Sequence, residues 1–319
     1  MADVADRLAW RRESAREAGE VFAAAGGLDA GEDAWRRVVD SGVLELTADP
    51  ADRALAGAVL TALGASGLAV PLAENLVVAH ALGGAGLDAG DPTAPVAVHV
   101  AGLARVPFGA GATRILTIGD DLRWAPGGGA PFAEPDPAVA AVAAPASGEL
   151  VTGDPVVVRD ARARALLYRS AVVVGVLDTM LDLTIAWVSE RRQFGRPVGS
   201  FQAVAHGLVE VSARVEAARA LVVAGLEAPG PLEPEAALAA AATVSDAAAR
   251  AVDRCYHFHG SVAHTADYAF HRWARRALAL AWPSRAVRGL REELGASLVR
   301  SVADGHLRES LPARDERSA

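Results

Sequence analysis

Between Val204 and Val222 the residues Val204, Leu208, Val211, Val215, Ala218 and Val222 follow one another at alternate spacings of four and three. That rhythm draws one continuous apolar stripe along an α-helix packed in a bundle. A strand cannot carry it, because strand side chains change face at every residue. Similar helical spacing runs through most of the 319 residues, and the 52% hydrophobic content is largely alanine with only 5% aromatic residues, so helix should dominate.

One stretch departs from this pattern. From residue 91 to 160, proline and glycine (Pro92, Pro95, Pro107, Pro126 with Gly127 to Gly129, Pro135, Pro137) punctuate alternating or β-branched runs such as Val96, Val98 and Val100, and Arg114 to Ile118. The chain therefore reads as mostly α: an N-terminal helical domain (1–90), a truncated, β-rich middle domain (91–160), a C-terminal bundle of four or five helices (161–303) and a polar, frayed tail (304–319). In the first domain Trp35, Val38, Val39 and Val43 share a helix face, and Gly42 stops the helix. Pro155 to Val158 reads as the last strand of the middle segment. Ser200 is placed to N-cap the Val204 helix, and Glu210 with Arg214 forms an i, i+4 pair on its polar face. Further helices are expected near 236–256, 268–280 and 285–300.

The charge of −8 argues against nucleic acid and anionic lipid as partners, since both demand a surplus of cations. Every basic residue other than histidine is arginine, which excludes a Schiff-base lysine. The single cysteine, Cys255, forms no intrachain disulfide and suits a reducing cytoplasm as a structural thiol. The apolar run Ala171 to Leu177 is flanked by Arg169 and Asp178, and the first sixteen residues lack an apolar core, so neither membrane insertion nor export by a standard signal is expected. His257 and His259 lie two apart, on different sides of a helix, with no cysteine or carboxylate cluster nearby to complete a metal site.

The most informative string runs from Ser189 to Gln202, SERRQFGRPVGSFQ. It ends one long helix, turns at Gly195 and Pro197, and starts the next. Two readings are open on the residues alone: a helix C-terminus whose arginines complement the dipole and whose glycine is the C′ residue, or a phosphate clamp in which a guanidinium fork binds a pyrophosphate beside aromatic rings that stack on a planar heterocycle.

This string resembles the turn Arg-x-x-Phe-Gly-x-Pro-x-x-x-Phe-Gln of the acyl-CoA dehydrogenase family. The second loop, His257-Phe-His-Gly-Ser-Val-Ala-His-Thr265, stands where that family has Gln-x-x-Gly-Gly-x-Gly-x-Thr. The resemblance extends to Asp267, Tyr268 and the basic run Arg272 to Arg276, and more weakly to Leu63-Gly64 and Pro71 to Glu74. It implies an acyl-CoA dehydrogenase-like fold, FAD as cofactor, and the FAD-dependent α,β-desaturation of an acyl-CoA thioester. In the family these two loops hold the ADP portion of a neighbouring subunit's flavin, which implies FAD contacts for Arg191, Gln193, Phe194, Phe201 and Gln202, and for His257, Gly260 and Ser261 at the second loop. Histidine replaces glutamine at 257, and Ser261 and Ala263 replace two glycines, so backbone approach there should be less close.

Other departures concern the chemistry itself. Desaturation needs a carboxylate to take the α-proton while a hydride leaves the β-carbon for the flavin. The family's Tyr-Glu-Gly-Thr-like turn corresponds here to Ala281-Trp-Pro-Ser-Arg-Ala286, with Ser284 the nearest counterpart of the glutamate, and the alternative position on the first long C-terminal helix aligns near Ala165. No catalytic residue is assigned. The segments that cover the isoalloxazine also lack counterparts. His206, His264 and His271 read as ordinary polar or capping residues, Asp267 as a loop-fixing or N-capping residue, and Arg162, Arg164, Arg285 and Arg288 as a solvated helix face or a guide for a CoA phosphate.

The resemblance thus implies a supporting subunit, acting with a longer homologous subunit in a hetero-oligomer such as the α2β2 dehydrogenases of actinobacterial sterol degradation, with the acyl-CoA substrate reached through the partner. A homo-oligomer is the other assembly that would bring the loops to a second chain. A self-sufficient flavoprotein with other chemistry and a flavin-free scaffold are the rival readings.

Overall fold

The structure is a computed structural model. It describes residues 2–303 apart from 32, 47, 48 and 134, and for 2–12, 50 and 51 the backbone alone; the expected tail at 304–319 lies outside the described residues. The chain opens with helices α1 (Ala2–Ala24), α2 (Ala34–Asp40), α3 (Pro50–Ser66) and α4 (Leu72–Val78). Gly42, at φ 78°, follows α2 and turns the chain, as its sequence position implied. The first helix spans 23 residues, longer than the short segments expected there.

Strands β1 (Val96–Val100), β2 (Arg105–Val106), β3 (Arg114–Ile118), β4 (Leu122–Pro126), β5 (Val142–Ala143) and β6 (Glu149–Thr152) follow. They make a four-stranded sheet in the order β1-β3-β4-β6 and a two-stranded sheet of β2 and β5. Strand β1 runs parallel to β3, with Val98 beside Leu116, and the other pairings are antiparallel. All five residues of β1 are buried, because the helices cover one face and the second sheet the other.

Helix α5 (Pro155–Glu190) is the axis of the fold. It corrects the strand expected at Pro155 to Val158: the Asp154 carboxylate accepts from the Val156 N–H at 2.8 Å and Pro155 occupies the first turn, a start signal that overrides the β-branched valines. Its length and composition would suffice to cross a bilayer, yet its residues from 163 to 177 are buried beneath neighbouring helices. Closest among these neighbours are α3 and α7 (Pro234–His259), with α6 (Gln202–Glu227), α8 (Phe270–Leu280) and α9 (Ser284–Ala303) completing the bundle.

The crossing of α3 and α5 is backbone on backbone. A Cβ at Gly64 would lie 1.9 Å from the Val172 carbonyl oxygen, and one at Gly175 would lie 1.9 Å from that of Thr61. Each glycine thereby admits the other helix's main chain.

Along α6, Val211, Val215, Ala218 and Val222 are buried as their spacing required, and Arg214 donates to Glu210 at 3.1 Å on the solvent side. The cap expected at Ser200 is not formed. Its hydroxyl donates to the Pro197 carbonyl, and Phe201, extended at φ −78°, precedes the helix without a side-chain cap. Arg53, 2% exposed, instead organises the far end of α6: its guanidinium donates to the carbonyls of Leu226, Ala228 and Gly230, where the chain leaves the helix.

Candidate functional site

Helix α5 ends at Glu190, and Arg191 leaves it in extended conformation. This corrects the reading of Gly195 as a C′ glycine. The chain instead forms a hairpin of β7 (Arg192–Gln193) and β8 (Arg196–Pro197), closed by the Val198 N–H donating to the Arg191 carbonyl at 2.7 Å. Its two-residue turn places Phe194 at φ 51° and Gly195 at φ 80°. Positive φ at both positions matches the twist of a tight hairpin, and glycine meets that requirement without strain. Phenylalanine does not, at a cost of about 1–2 kcal/mol.

Phe194 is also 93% exposed. A phenylalanine left in water forgoes about 1.5–3 kcal/mol of burial. Strain and exposure thus coincide at one residue.

Around this tip the charges and rings are arrayed outward. The Arg196 guanidinium lies 4.0 Å from the Phe201 ring centre, and Phe194 meets Phe201 edge to face at 6.2 Å. Arg191 extends over Trp187 at 5.3 Å. Arg191, Arg192, Gln193, Arg196 and Gln202 are all exposed, at the start of α6, where the first amide N–H groups of the helix have no side-chain cap. Cations, a helix N-terminus and an open aromatic face are the groups that bind a phosphate and stack a heterocycle.

The second expected loop reaches the same end of the bundle. Trp187 of α5 stacks on His259 of α7, with ring centres 5.6 Å apart and planes at 27°. Helix α6 also meets α7 closely here, since a Cβ at Gly207 would stand 2.6 Å from the Phe258 ring. His257 lies on the last turn of α7 rather than in a loop, and it is exposed, whereas His259 is 1% exposed. Gly260, at φ 70° and ψ −151°, opens a short 3-10 turn, and Ser261 follows it with its side chain exposed. Ala263 is fully buried, so the residue that replaces a glycine there packs inward. The structure thus gathers Arg191, Phe194 and Phe201 on one element and His257, Gly260 and Ser261 on a neighbouring one, joined through Trp187 and His259.

His259 is the strongly perturbed group of this end. Its Nε2 pairs with the Thr184 hydroxyl at 3.1 Å, its Nδ1 has no hydrogen-bond partner, and burial lowers its pKa to about 4. It is neutral at physiological pH and serves as an aromatic wedge between Trp187, Tyr268 and Phe270. Two other residues depart from expectation. Helix α8 starts without a side-chain cap, so Asp267 does not cap it. Arg164 is not on a solvated face: it is buried and bonded to Asp160 at 2.6 Å. Arg162 binds Glu293 through both nitrogens, and His271 Nδ1 lies 2.9 Å from the Tyr268 carbonyl.

A second feature was not foreseen in the sequence. The turn from α8 to α9, which carries Ala281, Trp282 and Pro283, borders a cavity of about 330 Å³ shared with the β segment. The carboxylate on its wall, Asp136, is ion-paired with the buried Arg276. Arg169, 4% exposed, also lines it and contacts Glu74 at 3.3 Å. The sequence signal for it is Arg169 at the edge of the apolar run Ala171 to Leu177. Among the described residues, no group of three or more histidine, cysteine or acidic side chains is gathered as a metal site would require.

Residues 163–284 match the family described as acyl-CoA dehydrogenase, C-terminal domain. The acyl-CoA dehydrogenase IpdE2 of Mycobacterium tuberculosis is 36% identical over 114 residues, 35% of each chain. The probable acyl-CoA dehydrogenase YngJ of Bacillus subtilis is 32% identical over 111 residues, 34% of this chain and 29% of that one. The matched stretch therefore spans about a third of these relatives. Among solved structures, the Tcur3481-Tcur3483 steroid ACAD superposes with a TM-score of 0.72 at 20% identity, covering 94% of this chain and 99% of that one. The ChsE4-ChsE5 complex of Mycobacterium tuberculosis gives 0.66 at 22% identity, over 94% and 98%.

Proposed function

We propose, for a chain that belongs to the acyl-CoA dehydrogenase family by its C-terminal domain and its fold, that it works as the supporting subunit of an FAD-dependent dehydrogenase that desaturates an acyl-CoA thioester between its α and β carbons. The observation that carries this reading is Phe194: an exposed aromatic ring held in a strained turn, with Arg191, Arg192 and Arg196 beside it and the uncapped start of α6 behind it. Such a surface is useful only against another chain and its ligand.

The residues present suit the ADP end of the flavin. Arg191 and Arg196 would bind the pyrophosphate oxygens, Phe194 and Phe201 would offer their rings, and Gln193, Gln202, His257, Gly260 and Ser261 would complete the contact from the two neighbouring elements. When bound, the flavin supplies the hydride acceptor of the reaction. This chain's own part is to orient the dinucleotide and keep water from its phosphates.

Proton abstraction is assigned to the partner. The α8–α9 turn presents Trp282 and Pro283 to its cavity, and Asp136 on the wall is neutralised by Arg276, which argues against a base there. The two-chain names of the steroid ACAD and of the ChsE4-ChsE5 complex support a hetero-oligomer with a homologous catalytic subunit, and a steroid-derived acyl-CoA as substrate class. A cytoplasmic, soluble complex goes with this reading.

The test is an absorption spectrum with a size-exclusion mass, taken on this chain alone and after co-expression with a longer homologue that carries the glutamate. A flavin band in a complex containing both chains supports the proposal. Flavin and turnover in this chain alone would favour a self-sufficient enzyme, and a flavin-free complex would favour a scaffold.

A further inference from the structure

His80 takes no part in the dinucleotide site, yet it is the buried centre of a second polar network. Past Val78 the helix widens to one π turn, Ala79–Gly83, a geometry that is rare and often found at functional positions. There the His80 ring, 3% exposed, lies between the Leu46 carbonyl, 2.7 Å from Nε2, and the Tyr168 hydroxyl, 2.8 Å from Nδ1. Arg164 of α5 donates to the same hydroxyl at 3.3 Å and to Asp160 at 2.6 Å.

Each hydrogen in this series of bonds has one place. A carbonyl only accepts, so Nε2 carries the ring hydrogen and Nδ1 presents a lone pair, to which Tyr168 donates. The tyrosine oxygen in turn accepts from Arg164. A second hydrogen on Nδ1 would meet the tyrosine's own, and the hydroxyl could turn only toward a guanidinium that offers no acceptor. The new charge would also stand near Arg164, with Arg53 of α3 beyond Tyr168. Two acids attract it, Asp52 of α3 and Asp160 of α5, and Asp160 is already bound to Arg164. Burial first, and Arg164 after it, hold the ring's pKa below its ordinary value, so the network is intact at neutral pH.

Tyr168 and Arg164 are fixed on the buried axis of the fold, whereas Leu46 follows a short 3-10 turn, Val43–Glu45, that is half-buried or exposed. Among the described residues, the bond to His80 is the one hydrogen bond that joins residues 43–46 to another element. We propose that His80 is an acid-released latch: when its ring takes a second hydrogen, the Leu46 bond gives way and residues 43–46 lift from the bundle, letting water reach the charge. The opening is local, since Val43, Leu44 and Leu46 are only partly buried against the core. The latch belongs to this chain alone and does not depend on flavin or partner.

The test is amide hydrogen exchange of the full chain at pH 7.5 and pH 4.5, each rate divided by that of an unstructured peptide at the same pH. Residues 43–46 should lose protection by about tenfold or more on acidification, while 163–177 of α5 keep theirs. His80→Gln retains an N–H for the Leu46 carbonyl but does not titrate, so the turn should stay protected at both pH values. His80→Phe removes the bond, and the turn should exchange fast at both. Should the variants not fold, the wild-type comparison decides the matter. Equal protection of 43–46 at the two pH values, loss of protection in the turn and α5 together, a wild-type acid response in His80→Gln, or a protected turn in His80→Phe would overturn the proposal.

Discussion

Trp187 and His259, 72 residues apart in sequence, stack with their ring centres 5.6 Å apart and so tie the end of α5 to the end of α7. Arg191 also rests over Trp187, so this ring links the hairpin to the segment that carries Gly260 and Ser261. Replacing Trp187 by leucine should cost about 2 kcal/mol, below the range for deleting a fully buried aromatic because Trp187 is half-buried. It should also lower the flavin content of the complex. A thermal scan and a flavin-to-protein ratio measure both, and a loss of stability with unchanged flavin would separate the stack from the site.

His259 predicts a pH dependence. Burial holds its folded pKa at about 4, below the ordinary value of about 6.5, so between these two values the unfolded chain binds the extra proton. Stability from this residue is therefore complete above about pH 6.5 and is lost as the pH falls toward 4, by an amount of order 3 kcal/mol. His80 and His99, lowered by burial, act in the same sense, and Glu74, raised by burial, acts in the opposite one. The difference between wild type and His259→Phe isolates the effect: melting temperatures from pH 7.5 to 4.5 should fall less steeply for the variant. Parallel curves would contradict it.

The Gly64–Gly175 crossing allows no side chain. Gly175→Ala should push α3 from α5 and cost more than 3 kcal/mol, since the added carbon meets backbone and not a movable side chain. Ala substitution at Gly289, where a Cβ would meet nothing within 4 Å, should leave the melting temperature unchanged or slightly raised. Equal effects at the two positions, read from chemical denaturation, would show that the helices slide apart freely.

Much of this architecture could be read from periodicity. The stripe from Val204 to Val222 specified α6 because burying one face fixes the spacing, and the turn residues bracketed the strands. The start of α5 was misread because three valines suggested a strand where Asp154 and Pro155 in fact begin a helix. The hairpin at residues 192–197 was likewise missed: Phe194 at a positive φ is an unfavourable choice that no local preference foretells, and such exceptions concentrate where a surface meets a partner. The pairing of Arg169 with Glu74 was invisible for a different reason, since it joins residues 95 positions apart across the core.

In the proposed assembly the strained, exposed hairpin grips a dinucleotide across a subunit boundary. Its most direct test is the flavin-to-protein ratio of the co-purified complex built with Arg191→Ala and with Phe194→Ala. Both substitutions lie on exposed residues, so the chain should melt as wild type does, or slightly higher for Phe194→Ala. Each variant should lose flavin on gel filtration, with affinity at least tenfold weaker, equivalent to about 1.4 kcal/mol. Full flavin occupancy and unchanged affinity in both variants would contradict the claim.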